Sequence, residues 1–200
     1  LETDLGAVEP DLPRTLTLRP RAGVPVLPYA VRLQARGIDR TFRGTLLQTP
    51  WVASVFAFKA DPRSDLEAWR HESRGAAAVT FPCDDLSWMR FGPRGPRDLP
   101  FLRDAGPNVP GNSRFGVVAR TSLALPAGKW RVTTLSDDGV RVTIGKPGDT
   151  PVIENWTHHG PTRDVGTFEQ AAAGPLEIIV EYFQLDGFAT LEFNLEKVEN

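Results

Sequence analysis

Apolar residues along this chain fall in short runs, many with a period of two, and Gly, Pro, Asp or Asn cuts each run after a few residues. A period of two gives a strand one apolar face, and many such runs in series predict a sandwich or a barrel. Trp51 to Phe58 and Ala76 to Phe81 are nearly continuous apolar runs of strand length. Phe115 to Leu125 alternates imperfectly and stops at Pro126-Ala127-Gly128. Lys129 to Leu135 places Trp130, Val132 and Thr134 on one face, and beyond Ser136-Asp137-Asp138-Gly139 the residues Val140, Val142 and Ile144 share a face as well. Val152 to Trp156 and Val165 to Glu169 are two further short strands. Leu176 to Phe183 and Phe188 to Leu195 are expected to pair as a hairpin across Gln184-Leu185-Asp186-Gly187, because Asp-Gly suits the positive φ of a hairpin tip.

One stretch has helical character. Pro62 to His71 contains Ser64-Asp65-Leu66-Glu67, a capping side chain followed by an acid in the first turn. The expected fold class is therefore all-β: an antiparallel β-sandwich or barrel with one short helix and long loops. Pro10, Pro13, Pro20, Pro25 and Pro28 make residues 1–44 a Pro-rich N-terminal arm or extension, which can hold only edge strands because each proline removes a backbone donor. Residues 45–200 form the β domain. Arg90 to Asn112 is dense in Pro, Gly, Arg and Asp and reads as a long surface loop.

Composition narrows the partners more than the fold. The chain has 200 residues, enough for one self-sufficient core. Its net charge is -2 and no Lys/Arg stripe is present, which argues against nucleic acid. Cys83 is the single cysteine, so neither an internal disulfide nor a cysteine-based zinc site is available. No apolar run approaches the ~20 residues of a membrane span. Leu1 is not a natural start and shows no signal peptide, so a mature or excised piece is expected.

The acidic turn is the most informative local feature. Two consecutive carboxylates at a strand end repel each other, and a simple hairpin does not need both. A hard cation such as calcium, which takes oxygen ligands from carboxylates and carbonyls, would cancel that cost. The Gln184 to Gly187 connection could add oxygens, including the Asp186 carboxylate. The alternative is an ordinary turn in which Asp137 caps backbone amides and Asp138 tolerates unusual backbone angles. Both readings stand at this point.

Other chemistry is weaker. Trp156-Thr157-His158-His159 could bind a transition metal or line a ligand groove, but neighbours in a strand point to opposite faces, so His158 and His159 would not chelate together there. A polar loop after a core tryptophan is the plainer reading. Cys83 with His71 could be a nucleophile and base, although free cysteines are usually small buried hydrophobes. Asp84-Asp85, or Asp61 with Asp65, could serve as an acid/base pair in glycoside hydrolysis. No phosphate-binding glycine loop, nucleophile elbow or zinc-protease helix is present.

These motifs together resemble the protective-antigen (PA-fourteen) domain family. Phe115-Gly116-Val117-Val118-Ala119-Arg120 is similar to the family's F-x-V-x-W/R strand, and Pro126-Ala127-Gly128 to the Pro-x-Gly turn after it. Lys129-Trp130-Arg131-Val132 resembles G-x-Y/W-x-F, and Ser136-Asp137-Asp138-Gly139-Val140-Arg141-Val142 resembles S-D-D-G-x-R-L. Val152-Ile153-Glu154-Asn155-Trp156 is similar to V-I-D-N-W, and Glu181-Tyr182-Phe183 followed by Gly187-Phe188-Ala189-Thr190-Leu191 to the closing E-Y-F…G-x-A-x-L. Trp51 to Phe58 and Leu86-Ser87-Trp88 resemble the opening strands more weakly. The likeness spans about residues 51–197 and implies an antiparallel β-sandwich from a mostly extracellular group of modules. It implies Asp137 and Asp138 as calcium ligands across a cis peptide, with the calcium holding sugar hydroxyls. Asp186 falls near the position where sugar-binding relatives use Asn, and it departs from them there.

The reading that follows is a non-catalytic carbohydrate-binding module, lectin-like and calcium-dependent, from a secreted, cell-surface or periplasmic protein. Metal ligands would be Asp137, Asp138 and Asp186, with Trp156, His158, His159, Gln184 and Leu185 lining the ligand site. Its partner would be a glycan or cell-surface polysaccharide, beside a neighbouring domain of a larger protein. The alternatives are a structural or protein-interaction accessory domain without a cation and, last, a hydrolase using Asp84 or Asp85.

Overall fold

The structure, a computed structural model, describes residues 26–35, 37–47, 49–86 and 91–198. The first part of the Pro-rich arm, residues 1–25, lies outside the described residues, as do Ser87 and Trp88 of the Leu86-Ser87-Trp88 motif. Strands β1 (Val26–Ala35) and β2 (Ile38–Leu47) form an antiparallel pair.

Nine further strands form two sheets. The larger has the order β4 (Val79–Cys83), β3 (Trp51–Ala57), β5 (Phe115–Leu125), β10 (Gly174–Gln184), β7 (Val140–Ile144), β8 (Ile153–Asn155). The smaller has the order β11 (Thr190–Lys197), β6 (Gly128–Asp137), β9 (Thr162–Gln170). All pairings are antiparallel. The sheets face each other as an open sandwich, not a closed barrel. The alternating residues of β6 do what the sequence pattern asked, since Trp130, Val132 and Thr134 are all fully buried. Trp130 and Val132 join Val117, Val142 and Val180 of the larger sheet in the main core.

The first half of β5 and the second half of β10 are buried on both faces and read as apolar runs, while the other half of each strand alternates. A second, smaller core explains this. Helix α1 (Leu66–Glu72) lies on the outer face and buries Trp69 completely, packing with Phe56, Phe58, Val118 and Phe183. The helix starts later than the expected Pro62, because Asp61 instead binds the amide and guanidinium of Arg63 in a turn. Asp65 is the cap, accepting from the Ala68 amide at 2.9 Å, with Glu67 in the first turn. An internal ion pair ties α1 to the sheet. Arg70 holds the buried Glu181 with two bonds, of 2.6 and 2.8 Å.

Two expectations need correction. The Leu176–Phe183 and Phe188–Leu195 strands do not form a hairpin. Strand β10 pairs with β5 and β7, while β11 pairs with β6, so the connection crosses from one sheet to the other. Asp-Gly still supplies a left-handed residue there, Gly187 at φ 79°, but that local signal does not choose the partner strand. The segment from Arg90 to Asn112 is also no free surface loop. Phe91, Leu99, Leu102 and Val109 are buried in the main core, and two short 3-10 turns, Pro96–Asp98 and Pro100–Leu102, hold its shape.

The Arg70–Glu181 pair should be worth far more than a surface pair. Arg70→Ala strands a carboxylate that is only 3 % exposed, and should cost about 3 kcal/mol or more. Arg131→Ala breaks the exposed Arg131–Glu196 contact of 2.9 Å and should cost under about 1 kcal/mol. Urea unfolding of both variants checks the contrast.

Candidate functional site

The pairing registers of the two sheets gather three connections at one end of the sandwich. In the smaller sheet, Asp137 lies opposite Thr190 and Ser136 opposite Thr162. In the larger, Val140 lies opposite both Tyr182 and Asn155. The chain therefore crosses between sheets three times side by side: at Asp137–Gly139, at residues 156–161 and at residues 185–189. Every residue predicted for the calcium and sugar site lies on these crossovers or beside them.

Asp137 and Asp138 are both buried, at 6 % and 1 % exposed, and the peptide bond between them is cis. The Asp138 carboxylate is held by the other two crossovers. Oδ2 accepts the Leu185 amide at 2.8 Å, and Oδ1 accepts the His159 amide at 3.1 Å. The Asp137 carboxylate has no hydrogen bond or ion pair among the described residues. Burial of most of the residue disfavours its bare charge, which a proton or a cation would relieve. Gly139, next in the chain, is needed for room and not for an unusual φ. A Cβ there would lie 2.2 Å from Cε1 of Phe183.

The third crossover is stapled from inside. Gln184 is fully buried, and its amide nitrogen donates to the carbonyls of Asp186 and of Phe188, the latter at 2.7 Å. Tyr182, also fully buried, directs its hydroxyl at the Asp137 carbonyl and at Gln184 Oε1, 2.8 Å away. Burial first, then the charges of Asp138 and Asp137, push the Tyr182 phenol well above its ordinary range, so it acts as a neutral donor. The backbone of Leu185 serves twice, its amide holding Asp138 and its carbonyl accepting the Arg114 amide at 3.0 Å.

The outer rim carries the remaining residues. Nε2 of the exposed His158 lies 3.5 Å from Asp138 Oδ1 and 3.6 Å from Oδ1 of the exposed Asp186. The His159 ring meets the Gly160 carbonyl through Nδ1 at 2.7 Å, and its Nε2 is buried without a hydrogen bond among the described residues. Trp156 is half-buried and engaged in packing, with Nε1 donating to the Pro62 carbonyl at 2.8 Å and its ring edge-on to Phe183. One residue escaped the sequence reading: Phe188, 78 % exposed, on the same crossover as Asp186. Its only sequence signal is an aromatic just after an Asp-Gly tip, where a hairpin reading had placed it in a strand.

Among the described residues, no group of three or more His, Cys, Asp or Glu side chains is arranged to hold a metal ion. The donor set that does suit calcium is the carboxylate pair with nearby carbonyls and water, because calcium accepts all three. The Asp137 carboxylate, on a mostly buried residue and hydrogen-bonded by no protein group among the described residues, is the observation that fits such an ion.

The other chemical candidates are used structurally. Burial first, and then the charges of Asp85 and Asp84, push the Cys83 thiol up to about 12, which makes it a poor nucleophile. The Arg63 guanidinium beside Asp61 holds that carboxyl down to about 2, and Asp65 caps α1.

No family's sequence model matches the chain, and no curated protein matches it. Solved structures do. The PA14 domain of the MpAFP antifreeze protein superposes with a TM-score of 0.60 at 19 % identity, over 74 % of this chain and 81 % of that one. A PA14 sugar-binding domain from an RTX adhesin gives 0.53 at 18 % identity, over 75 % and 90 %. A β-glucosidase from Kluyveromyces marxianus gives 0.50 at 12 % identity, over 75 % of this chain and only 17 % of the enzyme. The fold is that of PA14 domains.

Two predictions follow from the geometry of the turn. Gly139→Ala pushes Phe183 out of place and should cost about 1–3 kcal/mol in urea unfolding. The second concerns pH. Burial, and then the Asp138 charge, raise the Asp137 carboxyl above its ordinary value, and burial raises Asp138 against the lowering by the Leu185 and His159 amides. The folded state thus keeps protons on the pair more tightly than the unfolded state. That stabilising contribution is complete below the ordinary aspartate value of about 3.9 and fades as pH rises through the raised folded values. In a chelator, wild type should lose stability relative to Asp137→Asn from about pH 4 upward. Urea titrations across that range check it, and a difference independent of pH contradicts it.

Proposed function

We propose that this chain is a non-catalytic carbohydrate-binding module, calcium-dependent, from a protein that works outside the cytoplasm. The observation that carries this reading is the pair of aspartates at the meeting of the crossovers, where Asp138 is held by two amides and no protein group among the described residues hydrogen-bonds the Asp137 carboxylate. The likeness to a PA14 sugar-binding domain from an RTX adhesin supports it.

Calcium held by Asp137 and Asp138 would offer open coordination positions to a pair of sugar hydroxyls. The chain's own residues do the remaining work. Two amides fix the Asp138 carboxylate before any ligand arrives, which lowers the ordering cost of binding. Gln184 and Tyr182 set the height of the 185–189 crossover from below and do not face the ligand. Asp186 and His158 stand at the rim, where they can meet sugar hydroxyls. A carboxylate only accepts hydrogen bonds, whereas an Asn also donates, so Asp186 favours sugars whose hydroxyls donate at that point. The exposed ring of Phe188 offers an apolar face for the C–H side of a sugar.

A second reading has its own observation. His158 already stands against Asp138 and Asp186, and an accessory module that binds a neighbouring domain without any cation could use that contact to hold the crossovers together. No observation favours a hydrolase: Asp84 and Asp85 are exposed just beyond β4, and Asp61 and Asp65 are engaged in a turn and a cap. Among the described residues no helix is long and apolar enough to cross a membrane.

Calorimetry with calcium, followed by a glycan array with and without chelator, separates these readings. The proposal expects calcium binding that Asp137→Asn abolishes while the variant still melts cooperatively. It also expects array signals that chelator removes. Calcium at a hundred times its dissociation constant should add about 2.7 kcal/mol to stability. Phe188→Ala should weaken sugar about tenfold, the 1.4 kcal/mol expected for one aromatic contact, and leave calcium binding unchanged. Silence in both the calorimeter and the array defeats the proposal and leaves the accessory module.

A further inference from the structure

Helix α1 covers only part of the outer face of the larger sheet. Beside it opens a cavity of about 220 Å3, whose walls include Val118 and Arg120 of β5, Thr143 of β7, Ile179 and Glu181 of β10, and Arg74 just beyond the helix. Strand rise places Ile179 roughly 17 Å along β10 from Gln184, well away from the acidic turn.

Charge in this cavity does not balance. Glu181 is bound twice by Arg70, at 2.6 and 2.8 Å, and has Arg141 at 3.9 Å as well. Arg70 also meets Glu67 at 2.7 Å, and Arg141 meets Glu154 at 3.3 Å. These contacts satisfy all three carboxylates and leave two guanidiniums over. Among the described residues, Arg74 has no ion pair and donates only to the Arg70 carbonyl, at 3.1 Å, and Arg120 has neither an ion pair nor a hydrogen bond. Thr143 is a third unused group. It is 5 % exposed, lines the cavity, and its hydroxyl makes no hydrogen bond among the described residues. A hydroxyl that opens onto the cavity is free to donate to whatever occupies it.

We propose that this cavity is a second ligand site, for an oxyanion carried on a sugar-sized organic molecule. The planar forks of Arg74 and Arg120 suit the paired oxygens of a carboxylate, sulfate or phosphate group. The Thr143 hydroxyl can donate to the same group. Val118 and Ile179 give the carbon skeleton an apolar wall, and the cavity is larger than a bare oxyanion needs. Uronic acids and sugar phosphates share this chemistry. No residue of the acidic turn takes part, so the site stands or falls separately from the calcium reading.

The test is calorimetry of the whole chain in chelator at constant ionic strength, with sodium glucuronate, glucose 6-phosphate, glucose and sodium sulfate as separate titrants. Saturable binding of glucuronate or of glucose 6-phosphate is expected, and the tighter of the two identifies the source. Arg120→Gln and Thr143→Val should each weaken it at least tenfold with an unchanged melting transition, while Asp137→Asn leaves it intact. Arg74→Gln is the second variant, should Thr143→Val fold poorly. No binding of either acid overturns the proposal. Glucose binding as well as the acids removes the role of charge and overturns it. Sulfate binding as well as the acids removes the role of the organic part, and binding unaffected by Arg120→Gln places the ligand elsewhere; either result overturns it too.

Discussion

Everything at the candidate site depends on one constraint: two sheets of fixed register face each other, and the chain crosses between them three times at the same end. Asp137 opposite Thr190 fixes the first crossover against the third, and Val140 opposite Asn155 fixes the first against the second. Register in a sheet with a buried face is hard to slip, because a shift of one residue would turn Val140 and Val142 outward. The core therefore sets the position of the carboxylates to within the tolerance of its own packing. The backbone amides of Leu185 and His159 then aim one of them.

The same constraint creates an electrostatic burden. Packing brings two adjacent aspartates below the surface, and the fold satisfies only Asp138. Leaving Asp137 unpaired opposes stability, and it persists beside a fully buried Tyr182, a stapled Gln184 and a glycine with no room for a methyl group. Elsewhere this molecule pairs its buried charge carefully, as Glu181 shows with Arg70 and Arg141. The contrast between a satisfied Glu181 and an unsatisfied Asp137 gives the acidic turn its meaning. It is also why the excess of guanidinium over carboxylate beside α1 reads as a second place where the molecule waits for a partner.

Much of this was legible in the residues. Alternation in β6 and β7, the cap at Asp65 and the series of short strands give the all-β class directly. The paired aspartates and the loop that meets them were found from charge and resemblance. Pairing was harder to see. Asp-Gly after Leu185 marks a turn with positive φ, yet the choice between a hairpin and a sheet-to-sheet crossover is made by distant strands, β5 and β7 on one side and β6 on the other. The segment from Arg90 to Asn112 looked polar because its four core anchors are spaced irregularly among charges. Phe188 was hidden for the same reason as the crossover: a residue assigned to a strand is expected inside. The role of Gly139 was not visible in the residues, and only the packing of Phe183 shows that it is there for space.

The most direct test of the central claim is a crystal structure of the chain grown with calcium, with anomalous data to identify the ion. The account predicts an anomalous peak with Asp137 and Asp138 carboxylate oxygens at about 2.3–2.6 Å from it, at the meeting of the three crossovers. A map with no peak there, and with the Asp137 carboxyl hydrogen-bonded to protein or water instead, would contradict it.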